Sequence, residues 1–183
     1  MSDHNKNKVN IMGICKGAHY ITYCLIIIII VSMLAAVVCA GKNFAVFKIR
    51  EHFSGDIVYQ RMVRVGDEFT LHYVHSVTKR PVDEVFKIDN RHELALVEMR
   101  YDSFGANLPV GSELLSGEKT DFIVEKDFYR ISYQNRKFDV VPLRVGQVIA
   151  DHAVKFADGP KVRLLDITQG GEYIELYVEP LIN

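Results

Sequence analysis

The stretch His75-Ser76-Val77-Thr78-Lys79-Arg80-Pro81-Val82-Asp83-Glu84 sets an imidazole, two hydroxyls and two carboxylates close together along the chain. Those groups suit three chemistries: a serine nucleophile with a histidine base, a histidine–carboxylate acid–base pair, or metal ligation. Side-chain direction decides among them. If residues 68–77 form a strand, Phe69, Leu71, Tyr73, His75 and Val77 share one face, and Thr70, His72, Val74 and Ser76 share the other. Ser76 is then turned away from His75, which disfavours the nucleophile. His72 and His75 fall on opposite faces, and His52, His92 and His152 show no ligand spacing, so neither a metal nor a cofactor is expected.

Beyond the turn, Val82, Glu84, Phe86 and Ile88 share an apolar face that contains a glutamate. A four-residue loop over 78–81 would pair Val77 with Val82. It would set Tyr73 opposite Phe86, Leu71 opposite Ile88 and His75 opposite Glu84. Directly opposed residues bring their Cβ atoms to about 4.5–5.5 Å, within reach for an imidazole and a carboxylate. An unpaired buried carboxylate would cost several kcal/mol, so pairing is the expected remedy. His75 and Glu84 are therefore the candidate functional pair: either a satisfied pair that fixes hairpin register, or an acid–base couple with Glu84 as base. Lys79 and Arg80 at the tip read as a solvated turn, with attraction of an anion as the alternative.

A second candidate is the long loop between Asp102 and Asp121. It contains Phe104, Gly105, Ala106, Asn107, Leu108 and Pro109, then Ser116-Gly117-Glu118. Loops of this length inside compact domains often carry function.

The elements that must position these groups read as strands. Period-2 alternation rich in Val, Ile, Phe and Tyr marks residues 44–51, 56–64, 68–77, 82–89, 94–102, 122–132, 147–156, 162–168 and 173–179. Turn residues such as Ser54-Gly55-Asp56, Val65-Gly66-Asp67 and Gln169-Gly170-Gly171 punctuate them. The expected fold is all-β, a two-sheet sandwich with a small barrel as the alternative.

Ahead of this domain, residues 21–40 contain no charge and include five consecutive isoleucines, Ile26 to Ile30. At about 1.5 Å per helical residue the run spans a hydrocarbon core of roughly 30 Å. Val38-Cys39-Ala40 before Gly41 offers a signal-cleavage site, but a signal core usually has about 7–15 residues. The expected layout is a short cytoplasmic tail over 1–19, a transmembrane signal-anchor over 20–41, and an extracytoplasmic domain over 42–183. Lysines flank both sides of the span, so the charge count leaves orientation near a tie; a short polar tail before the anchor favours the N-terminus inside. The formal net charge of -1 gives no basic excess for nucleic acid. All three cysteines (Cys15, Cys24, Cys39) precede the outer domain, whose core must hold it unaided.

His75-Ser76-Val77 with Pro81, Glu84 and Phe86, followed by Phe104-Gly105-Ala106-Asn107-Leu108-Pro109, resembles an uncharacterised bacterial domain of unknown function found in small exported or membrane-anchored proteins. The resemblance is densest from Phe69 to Pro109 and weak after Asp121. That family usually has glycine where this chain has Asn107, and asparagine is the residue after glycine best able to adopt positive φ. Genes of the family commonly neighbour those of TRAP transporters of the TAXI type. The resemblance thus implies a membrane-anchored accessory of a tripartite solute transport system, in the cell membrane and facing the periplasm. Its partners would be the transporter membrane subunits or the solute-binding protein. It supplies no catalytic residues, so an enzyme is the less favoured reading. The alternatives are a small-solute binding module or a hydrolase using His75 and Glu84.

Overall fold

The computed structural model describes residues 4–90, 92–112, 114–115 and 118–181. The chain divides into a helical unit, residues 1–41, and a β unit, residues 42–183.

Helix α1 runs from His4 to Asn43. It is longer than the expected 20–41 span, because most of the 1–19 tail continues the same helix. Within it Tyr20–Val38 is long and apolar enough to cross a membrane, and every side chain there is exposed. An apolar helix at this position fits a membrane anchor or a signal sequence; in either, the helix satisfies its own backbone groups within lipid.

The described residues of the β unit form thirteen strands: β1 (Phe44–Glu51), β2 (Ile57–Arg64), β3 (Glu68–Val74), β4 (Pro81–Ile88), β5 (Leu94–Tyr101), β6 (Leu114–Leu115), β7 (Glu118–Lys119), β8 (Asp121–Val124), β9 (Tyr129–Phe138), β10 (Val140–Arg144), β11 (Ala153–Phe156), β12 (Lys161–Arg163) and β13 (Tyr173–Pro180). A four-stranded sheet has the order β10-β13-β1-β2, and a seven-stranded sheet the order β12-β11-β3-β4-β5-β9-β8; β6 and β7 form a separate ribbon. The sheets are antiparallel and neither closes into a barrel, so the sandwich holds and the barrel alternative does not.

Alternation builds the core. In β1, Ala45, Phe47 and Ile49 are fully buried, while Lys48 and Arg50 point outward and meet Glu179 and Glu175 of β13. Phe47 from the smaller sheet packs on Phe69 at 4.9 Å and Phe156 at 5.2 Å from the larger one. Burying each such side chain is worth about 1.5–3 kcal/mol, whereas exposed ion pairs contribute little. The inter-sheet aromatics therefore hold the two layers together.

Besides the 68–77 run, which ends at Val74, three expected strands change. The 122–132 run splits into β8 and β9 around a turn closed by Glu125 N–H donating to the Phe128 carbonyl at 2.9 Å. The 147–156 run keeps only β11, since residues 145–152 form a loop in which Asp151 takes φ +40°. The 162–168 run reduces to β12 and a single 3-10 turn, Leu164–Asp166. Three strands were not expected at all: β10, and the two-residue β6 and β7 inside the 102–121 loop.

Candidate functional site

The β3–β4 hairpin differs from expectation in register and agrees in face. β3 ends at Val74, opposite Pro81, and Leu71 lies opposite Glu84 rather than Ile88. The ladder is thus displaced by four residues from the predicted pairing. Because side chains alternate with period 2, an even displacement leaves each on its predicted face. Glu84 does sit on the apolar face, but His75 lies beyond the ladder and is not its cross-strand partner.

His75 itself explains the early end of the strand. Its Nδ1 accepts the backbone N–H groups of Val77 at 3.3 Å and Thr78 at 3.2 Å, folding the chain back immediately after Val74. Its carbonyl accepts Lys79 N–H at 2.9 Å and its own N–H donates to Arg80 O at 2.9 Å, with Lys79 at φ +59°. On the neighbouring strands, Phe69 stacks on Phe86 at 5.3 Å, and the His72 imidazole meets the Asp83 carboxylate at 2.6 Å on the outer face. Those pairs exist only in the observed register.

The remaining ring nitrogen of His75, Nε2, donates to the Ala106 carbonyl at 2.9 Å. Hydrogen bonding therefore occupies both nitrogens, as the Nε2–H tautomer, and leaves the side chain 9% exposed. Gly105 lies directly against this ring: a Cβ built there would be 3.0 Å from both Cε1 and Nε2, so only glycine fits without displacement. The hairpin tip and the candidate loop, some thirty residues apart in sequence, form one body.

The loop is fastened at further points. Asn107 adopts φ +66°, as its residue type allows, and Leu108 is buried with its N–H donating to Gly105 O at 3.1 Å. The Tyr101 hydroxyl donates to the Pro109 carbonyl. Phe104 stacks on Tyr129 with ring centroids 4.3 Å apart. Ser116 and Gly117 lie outside the described residues. At the tip, Arg80 is held by Asp102 through two hydrogen bonds, one of them 3.0 Å long, and Lys79 Nζ donates to the Ser76 carbonyl.

Glu84 belongs to a different cluster. The Tyr73 hydroxyl donates to Glu84 Oε1 at 3.4 Å, and the Tyr73 ring packs on His152 at 5.4 Å. Burial pushes the Glu84 carboxyl above the usual carboxylate range, with the Tyr73 hydrogen bond opposing it in part. Tyr73 is itself pushed up, first by burial and then by the adjacent Glu84 charge. His152 is 7% exposed; burial lowers its pKa, the Asp151 charge works against that, and His72 adds slightly to the lowering. Its Nδ1 accepts Gly146 N–H at 3.0 Å. Among the described residues no group of three or more His, Cys, Asp or Glu is placed to hold a metal ion.

Sequence reasoning missed His152 as a site residue, because the apolar run Val148-Ile149-Ala150 reads as strand and hides the loop that delivers it. The Arg144-Val145-Gly146 turn ahead of it was a signal that the chain bends there: a Cβ at Gly146 would come within 2.4 Å of Ala150 Cβ, so the loop closes only on glycine.

These residues lie within a segment that has relatives. Residues 69–162, from β3 to β12, match the family described as Domain of unknown function (DUF1850). The match takes in His75, Glu84, the 104–109 loop and His152, and leaves β1, β2 and β13 of the smaller sheet outside it. No curated protein and no solved structure matches the chain. The matched segment covers just over half of the 183 residues, and the chain belongs to the DUF1850 family.

Proposed function

We propose that this protein is a membrane-anchored, extracytoplasmic accessory protein of a tripartite solute transport system of the TRAP–TAXI type. In this reading α1 is an uncleaved single-pass anchor in the cell membrane with its N-terminus inside. The β-sandwich stands in the periplasm and docks on the transporter membrane subunits or the solute-binding protein. The observation that carries it is the exposed apolar stretch Tyr20–Val38, continuous in sequence with a cysteine-free sandwich that has a complete core of its own. The transporter context rests on the sequence resemblance of the 75–86 and 104–109 motifs.

The geometry around His75 supports an interaction role over a hydrolase. A base at Glu84 oriented by His75 needs the two groups to meet, and each is instead engaged elsewhere: His75 with Ala106 and its own turn, Glu84 with Tyr73. Crosslinking in cells followed by mild-detergent purification is expected to recover transporter subunits with the full chain, and deletion is expected to abolish uptake. Uptake unchanged on deletion, or a purified protein whose first residue is Gly41, would overturn this assignment.

A further inference from the structure

A groove of about 600 Å³ opens beside the hairpin tip, lined by Ser76, Arg144, Gly146, Val148, Ile149 and His152 among others. Its volume falls in the range of small-molecule sites, roughly 300–1,000 Å³. Its wall is held at several points: Val145 N–H donates to Glu172 O at 2.9 Å, Gly171 N–H to Val145 O at 2.8 Å, and Val74 N–H to Ala150 O at 2.8 Å. Between those anchors Val148, 81% exposed, and Ile149 project as an apolar lip.

Two polar groups on this lining lack a complete set of partners. His152 spends Nδ1 on Gly146 and is thereby the Nε2–H tautomer; among the described residues Nε2 has no hydrogen-bond partner, and it is not one of the solvent-sealed atoms. A residue that lines the groove thus carries a ring donor that no described group accepts. Arg144 is the second. Arg50, Arg61, Arg80, Arg130 and Arg163 each meet a carboxylate. Arg144 instead donates to the Tyr173 hydroxyl at 3.1 Å, lies over that ring at 4.8 Å, and meets no carboxylate among the described residues. No acidic residue lines the groove.

We propose that this groove binds a small organic carboxylate with a short apolar body, its carboxylate taken by Arg144 and the His152 Nε2–H and its body laid on Val148 and Ile149. A guanidinium that meets no carboxylate and an imidazole N–H donor match a carboxylate in charge and in hydrogen-bond sense. The apolar lip accounts for the body, and the absence of facing acids excludes a cationic ligand. The site requires no transporter partner and stands or falls apart from that reading.

The test is isothermal titration calorimetry on the full chain in lipid nanodiscs, with empty nanodiscs as the blank. Isovalerate and its uncharged isostere isovaleramide are the probes. Isovalerate is expected to bind at one site per chain, and isovaleramide at least about tenfold more weakly. Arg144→Gln, on an exposed position, should weaken isovalerate binding by about tenfold or more, and Ile149→Ser should weaken it by a smaller factor. Equal affinity for both probes, isovalerate binding unchanged in Arg144→Gln, or no binding at all would each overturn the proposal.

Discussion

Glu84 carries a carboxyl onto a face otherwise built of Val82, Phe86 and Ile88, with the Tyr73 hydroxyl as its donor. Its presence among apolar residues was readable from alternation alone. Its partner was not, because the partner depends on where β3 stops, and β3 stops where His75 captures two backbone N–H groups. Burial raises the Glu84 pKa in the fold. The stability linked to its protonated form is therefore complete below the ordinary carboxylate range and lost as pH rises through the raised value. Glu84→Gln removes that loss. The variant is expected to be more stable than the parent by about 1 kcal/mol at about pH 7 and to lose that advantage at about pH 4. Thermal melts of both proteins across that interval check it; parallel pH profiles would show that Glu84 is not the titrating group.

The elements that sequence patterns revealed best are those with one buried face. β1 was readable from Phe44 to Glu51, since Ala45, Phe47 and Ile49 alternate with polar neighbours. β10 escaped notice because Pro142 sits in its middle. Proline is tolerated there because β10 is the outer strand of its sheet, where a missing N–H breaks no ladder. The hairpin register was beyond reach for another reason: period 2 fixes parity, while the absolute offset is set by turn geometry. The contact between the hairpin tip and the 104–109 loop likewise had no sequence periodicity behind it, although both pieces stood out separately. It yields a prediction at this scale. Gly105→Ala forces a methyl group against the His75 ring and should destabilise the sandwich by about 1–3 kcal/mol. His75→Ala should itself destabilise by about 2 kcal/mol through the lost hydrogen bonds. Combined, the two should cost less than their sum, because the smaller side chain vacates the space the methyl needs. Additive costs in a denaturation-based double-mutant cycle would mean that the loop and the tip are not packed as described.

At the scale of the whole molecule, the division of labour follows composition. The apolar helix carries the membrane-compatible surface and all three cysteines, and the β unit carries the core, the groove and no cysteine. The sandwich is therefore held without a disulfide, across layers joined by the packing of Phe47, Phe69 and Phe156. Its thermal unfolding is expected to be the same with and without a thiol reductant, measured by the loss of near-ultraviolet circular dichroism. A reductant-dependent shift of the transition would reveal a covalent link that the β unit cannot supply by itself.

The pairing of β1 with β13 has a consequence for how the protein reaches its native state. Ala45 is the register partner of Pro180, and Ile49 of Leu176, so the two central strands of the smaller sheet come from opposite ends of the β unit. A chain made from its N-terminus therefore displays β1 long before its partner exists. Contacts this distant in sequence are closed late and slowly. Until residues 173–180 have been made, Phe47 and Ile49 lack their partners Val178 and Leu176, and a chain arrested before residue 173 lacks the strand that joins β1 to β10.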